Sequence, residues 1–127
     1  MKQILVIEDN AVAANLYRSV LSAAGYQVDV AIDGEAGLAA IDKLHPDLVL
    51  LDLMLPKIEG IEVLRQIRSN PAYKNMPVMV TSNAYTSARM DELRAAGATD
   101  ILTKASASPK EIRRLVATAL DGSPKKD

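Results

Sequence analysis

Two hydrophobic periodicities take turns along this chain, and their alternation restricts the fold more than any other feature. Short apolar runs rich in β-branched residues occur at residues 4–7, 28–30, 48–51, 78–80 and, more weakly, 101–102. Between them the spacing changes to that of a helix face. Ala13, Leu16, Tyr17, Val20, Leu21 and Ala24 form the first stripe, followed by Gly37, Ala40, Ile41 and Leu44. Gly60, Val63, Leu64 and Ile67 give a third, Met90, Leu93 and Ala96 a shorter fourth, and Ile112, Leu115, Val116, Ala119 and Leu120 the last. Gly25 and Gly97 sit where a left-handed residue ends a helix, and Asp33-Gly34, His45-Pro46-Asp47 and Asn70-Pro71 are turn signals. Ser108-Pro109-Lys110-Glu111 reads as an N-cap, a proline at the first helical position and a capping-box glutamate.

Strand followed by helix, five times, predicts an α/β chain whose continuous apolar strands lie in a parallel sheet covered on both faces. The expected architecture is a (βα)5 flavodoxin-like three-layer sandwich with strand order 2-1-3-4-5. At 127 residues the elements leave no room for a second domain. The domain is expected to span residues 1–121, with 122–127 as a solvated tail or linker stub. A formal net charge of −1 gives no reason to expect nucleic acid as a partner. The absence of cysteine excludes disulfide and thiolate chemistry, and the first apolar run is too short for a signal peptide or a membrane span. The expectation is a cytoplasmic protein without membrane association.

In an open parallel sheet, ligands bind beyond the carboxyl ends of the strands, where the strand order reverses. For the order 2-1-3-4-5 that place lies between the first and third strands, and both run directly into acids: Ile7 into Glu8-Asp9, and Leu51 into Asp52. Two like charges about 4 Å apart cost on the order of 4 kcal/mol at an effective dielectric near 20. Either one acid holds a proton or a cation occupies the site. Oxygen-only ligation beside a phosphoryl group suits Mg²⁺, with Mn²⁺ as its substitute. The fourth strand adds the hydroxyl of Thr81, and the fifth leads to Lys104, a compact cation suited to phosphate.

These residues carry a family resemblance. The matching pieces are Ile7-Glu8-Asp9-Asn10, Leu51-Asp52-Leu53-Met54-Leu55-Pro56 with Gly60 beyond, Met79-Val80-Thr81, Ala95-Ala96-Gly97-Ala98, and Leu102-Thr103-Lys104. Each is a weak signal; all of them in order on the appropriate elements are specific. Over Lys2 to Asp121 the chain resembles the receiver domain of two-component response regulators. The resemblance implies that Asp52 accepts a phosphoryl group from a histidine kinase, a phosphotransfer protein or a small-molecule donor. It implies that Asp9, Asp52 and the Met54 backbone carbonyl bind Mg²⁺, with Glu8 acting through a water. Thr81 and Lys104 would contact the phosphoryl oxygens. Signalling to a downstream protein would pass through the fourth helix, fifth strand and fifth helix, a face that also serves dimerisation in the family, so a monomer or a weak dimer is expected. Catalysis would be confined to phosphotransfer and self-dephosphorylation.

The departures gather around the switch. Ala105 follows the lysine where the family has proline, often after a cis bond; a cis bond here costs about 3–4 kcal/mol, against roughly 0.5–1 before proline. The loop is therefore either rebuilt in trans or strained. Ile101 replaces the tyrosine or phenylalanine that rotates on activation, and Tyr85 is the nearest aromatic substitute. Ser82 stands where alanine or glycine is commoner. Two other readings compete: a docking module on the same fold that is not regulated by phosphorylation, and an aspartate-nucleophile phosphohydrolase. The second normally needs an acid two residues past the nucleophile, where Met54 stands. His45, the single histidine, is expected to be exposed and chemically idle, and Met54, Met79 and Met90 to pack in the core or in the wall of the site.

Overall fold

The computed structural model describes residues 1–83 and 86–121, the Ser106 side chain excepted. Five strands alternate with five helices: β1 (Gln3–Ile7), α1 (Ala11–Ala23), β2 (Gln27–Ala31), α2 (Gly34–Leu44), β3 (Leu48–Asp52), α3 (Gly60–Ser69), β4 (Val78–Ser82), α4 (Ser87–Ala95), β5 (Asp100–Thr103) and α5 (Pro109–Asp121). Short 3-10 turns occupy Pro71–Tyr73 and Lys104–Ser106. All strand pairings are parallel and the order is β2-β1-β3-β4-β5. This is the flavodoxin-like architecture expected from the alternation. No helix among the described residues is long and apolar enough to cross a membrane.

The strands of the centre are apolar without interruption because each feeds two cores. Leu5, Ile7, Val49, Leu51, Val78 and Val80 pack with residues of α2, α3 and α4. Ile4, Val6, Leu48, Leu50, Met79 and Leu102 pack with residues of α1 and α5. Successive side chains of a strand point to opposite faces, so the residue that follows each run inherits a side by parity. Glu8, Asp52 and Thr81, two places beyond Val6, Leu50 and Met79, fall on the α1/α5 side. Ile101 falls on the other, packed against the α2–α3–α4 core.

Helix starts follow local chemistry. The side chains of Asn10, Asp33 and Thr86 accept from the backbone N–H groups of Ala13, Ala36 and Arg89, capping α1, α2 and α4. Ser108 Oγ caps α5 by accepting from Glu111 N at 3.1 Å, but the expected capping box is half made, because the Glu111 carboxylate turns outward to Arg114. Gly25 and Gly97 take left-handed conformations, with φ of 98° and 110°, as helix-terminating residues do.

One packing expectation is corrected. The buried stripe of α1 is Ala14, Tyr17, Val20 and Leu21, while Leu16 is 44% exposed. Met79 is fully buried, and Met54, 67% exposed on the loop after β3, lines the cleft beside Asp9. His45 is exposed as expected, yet it is not idle. It ends α2 in a left-handed conformation, and its Nδ1 lies 3.3 Å from the Tyr73 hydroxyl, which also reaches Asp42 Oδ1 at 3.0 Å.

Candidate phosphoryl and metal site

The topology delivers the chemistry to one edge. Glu8 and Asp9 follow β1, Asp52 is the last residue of β3, Thr81 pairs with Asp52 in the β3–β4 register, and Lys104 follows β5. Glu8, Asp52 and Thr81 are essentially buried, at 1%, 2% and 1% exposure, while Asp9 is exposed. One carboxylate oxygen from each of Glu8, Asp9 and Asp52 lies within 4.8 Å of the others. The three acids named from the sequence therefore do meet.

Lys104 answers their charge. Its Nζ stands 3.1 Å from Glu8 Oε1 and 3.3 Å from Asp52 Oδ1. Backbone amides orient the same carboxylates: Met54 N donates to Asp52 Oδ1 and Asn10 N to Glu8 Oε2, both at 3.2 Å. Burial, with a hydrogen bond to Asp52, pushes the Glu8 carboxyl up to about 7 against an ordinary 4.5, although Asn10 N–H and Lys104 pull the other way. Burial works against the Lys104 ammonium, but Glu8 and Asp52 outweigh it and its pKa rises. The raised Glu8 pKa and the Lys104 ammonium both act against like-charge repulsion in the pocket.

The donor set also fits a hard divalent cation. It is all oxygen, it mixes two buried acids with an exposed one, and Glu8 Oε1 is buried without a hydrogen bond even though Lys104 is at ion-pair distance. Hard cations of this size take such ligands and retain water. Beside the acids a cleft of about 430 Å³ is lined by Asp9, Met54, Pro56, Glu59, Ser82 and Arg89 among others.

Two features hold the loops that frame the site. Gly60, at the start of α3, backs onto the end of β3 so closely that a Cβ there would lie 2.5 Å from both Asp52 O and Leu53 Cα. Gly60 N donates to Leu53 O at 3.1 Å. Asp33, while capping α2, also pairs with Lys57 Nζ at 3.3 Å; Lys57 stands at φ 69° in the loop after β3.

The switch residues are placed as follows. Lys104-Ala105 is trans, as is every peptide among the described residues, and opens the 3-10 turn that carries Lys104 to the acids. Ser82 is buried and lines the cleft. Tyr85 lies outside the described residues. Sequence reading missed Tyr17 as a neighbour of the site: it is 3% exposed, burial raises its pKa, and the Lys104 charge opposes that rise. The available signal was a tyrosine on a buried helix stripe, which needs somewhere to put its hydroxyl.

Comparison with known proteins agrees with this geometry. A family profile described as "Response regulator receiver domain" matches residues 4–117. The transcriptional regulatory protein TrcR of Mycobacterium tuberculosis is 34% identical over 115 residues, covering 91% of this chain and 42% of that protein. The polar-differentiation response regulator DivK of Brucella ovis is 27% identical over 117 residues, covering 90% of this chain and 93% of that protein. The chemotaxis protein CheY4 of Vibrio cholerae superposes with a TM-score of 0.88 at 26% identity, covering 94% of this chain and 98% of that one. The chain spans about half the length of other curated relatives it matches.

Proposed function

The chain belongs to the response regulator receiver domain family, and from that premise we propose that it is a phosphorylation-driven signalling switch with Asp52 as the phosphoacceptor. The observation that carries this reading is the convergence at Asp52: Lys104 Nζ at 3.3 Å, Thr81 beside it in register, and the carboxylates of Glu8 and Asp9 within reach. An Asp52 oxygen attacks phosphorus. The P–N bond of a kinase or phosphotransfer-protein phosphohistidine breaks, or the P–O bond of a small acyl phosphate, and the leaving group takes the bonding pair. Water later attacks the same phosphorus, returns the carboxylate and releases inorganic phosphate. Lys104 is placed to balance charge on the transferring group, and Thr81 to donate to one of its oxygens after a side-chain rotation.

Asp9, Asp52 and the Met54 carbonyl are the groups that would hold Mg²⁺ or Mn²⁺, with Glu8 through a water. When bound, the ion neutralises charge on phosphoryl oxygens. Signal leaves through the loops that hold Ser82 and Ala105 toward α4, β5 and α5, a face for a downstream protein or for weak dimerisation, with Ile101 on its path. In this reading the domain works in the cytoplasm, where a kinase's phosphohistidine is presented. Residues 1–121 form the receiver in this reading. The test is incubation with MgCl₂ and acetyl phosphate, or with a phosphorylated histidine kinase, followed by mass spectrometry. One added phosphoryl group that Asp52→Asn abolishes is expected; no gain from either donor overturns the proposal and leaves a docking module.

A further inference from the structure

Arg89 belongs to α4 and lines the cleft beside the acids, together with Asp9, Met54 and Ser82. Those three border Asp52. Met54 N donates to its Oδ1, an Asp9 carboxylate oxygen lies within 4.8 Å of one of its own, and Ser82 follows Thr81, its partner in register. The cleft therefore runs from the edge of Asp52 to α4. Among its described lining residues Asp9 and Glu59 are acids and Arg89 is the only base, so Arg89 is the lining group that attracts an anion. Its present partner holds it weakly. The guanidinium pairs with Glu92 on the same helix, and the two side chains are 37% and 47% exposed. Exposed pairs of this kind contribute little, whereas a guanidinium on phosphoryl oxygens makes charge-assisted, bidentate bonds. The helix is lightly anchored as well: of the α4 residues only Leu93 is buried, so few packed contacts resist a shift of α4.

Resting on the phosphoacceptor reading above, we infer that Arg89 is a phosphoryl-binding residue: when Asp52 is phosphorylated, its guanidinium exchanges Glu92 for the phosphoryl oxygens and ties α4 directly to the site. A phosphoryl group brings negative charge and new acceptor oxygens to the end of the cleft that Asp9 and Met54 border. Glu92 is the competitor in this exchange. It holds Arg89 along the helix in the resting state and is left to solvent in the engaged one. Removing the Glu92 charge raises the free energy of the resting state alone, and removing the guanidinium costs the engaged state its tie.

Beryllofluoride, a phosphoryl mimic, reads this balance in the intact protein by calorimetric titration in MgCl₂. Arg89→Gln is expected to bind it about tenfold more weakly than wild type, the scale of a hydrogen bond to a charged group. Glu92→Gln should bind it about twofold more tightly, and in an Arg89→Gln background should change nothing, because the group it releases is gone. Arg94→Gln removes the same charge from the same helix, away from the cleft lining, and should bind as wild type does. Hydrogen exchange supplies a second readout: beryllofluoride should slow exchange of the α4 amides in wild type and not in Arg89→Gln. Unchanged binding by Arg89→Gln overturns the inference, as does equal weakening by Arg94→Gln. A Glu92→Gln gain or an α4 protection that persists in Arg89→Gln overturns it too. Circular dichroism melts establish that each variant is folded. Wild type that binds no beryllofluoride, or binding that survives Asp52→Asn, refutes the phosphoacceptor reading instead, so the two failures are distinct.

Discussion

Glu8 gives the receiver a stability that should fall as pH rises through the range where most carboxylates are already ionised. In the unfolded chain its proton leaves near 4.5; in the folded protein burial and the hydrogen bond to Asp52 hold it to about 7. Between those values the folded state binds more protons, so raising the pH favours unfolding. The contribution is fully present below 4.5, is lost across the window and levels off above 7. At about 1.4 kcal/mol for each pH unit, the loss approaches about 3 kcal/mol, a large share of the about 5–15 kcal/mol that holds a domain together. The carboxylates pulled downward, Asp33 by the Ala36 amide and Glu111 by Arg114, act with the opposite sign but below this window. The assay is urea unfolding between pH 5 and 8 in EDTA, followed by circular dichroism. Wild type should lose about 3 kcal/mol across the range, and Glu8→Gln, which keeps the shape and a hydrogen bond to Asp52, should be nearly flat and more stable than wild type at pH 8. Millimolar MgCl₂ should recover much of the wild-type loss at pH 8. A Glu8→Gln slope equal to that of wild type would refute the argument, since the titrating group would then lie elsewhere.

Other consequences are as definite. Gly60→Ala forces a methyl group onto the backbone of Asp52 and Leu53. Overpacking typically costs about 1–3 kcal/mol, and here the strain falls on Asp52 and Leu53, so acetyl phosphate labelling at Asp52 should slow along with a lowered urea midpoint. Arg68 donates to the carbonyls of Gly97, Tyr73 and Met76 at 3.0, 2.9 and 2.6 Å, tying the end of α3 to the segments that lead into β4 and β5. Arg68→Met leaves those carbonyls without their donor and should cost about 2–4 kcal/mol in urea unfolding; Arg68→Lys should recover only part, because one ammonium cannot serve three splayed acceptors. Asp33→Ala removes the α2 cap and should cost about 1 kcal/mol, whereas Asp33→Asn, which keeps the capping oxygen and loses only the exposed Lys57 pair, should cost little.

Each of these effects arises where local sequence meets something distant, and that boundary divides what could be read from the chain. The strands and helices were legible because their periodicities differ and because caps such as Asn10, Asp33 and Ser108 act within a few residues. The site was legible for the same reason: Glu8, Asp9, Asp52 and Thr81 sit at or next to strand ends, and a parallel sheet gathers strand ends. Errors arose where burial depends on neighbours. Leu16 fits the helical period as well as Val20 does, yet Val20 is buried and Leu16 is exposed, because which side of a stripe is covered depends on the elements packed against it. The Glu111 carboxylate had two partners within reach, the backbone behind it and Arg114 ahead, and the arginine won.

The sequence alone determined that three acids, a threonine and a lysine would gather at one edge, because strand order and side-chain parity are set by patterns a few residues long. Tertiary structure decided how those groups share charge. That Lys104 bridges Glu8 and Asp52, that burial raises the Glu8 pKa, and that Tyr17 is buried in the core on the α1/α5 side follow from distance and desolvation between elements far apart in the chain. Desolvation and Coulomb energy depend on the packed surroundings of an atom in three dimensions, and no local spacing encodes them.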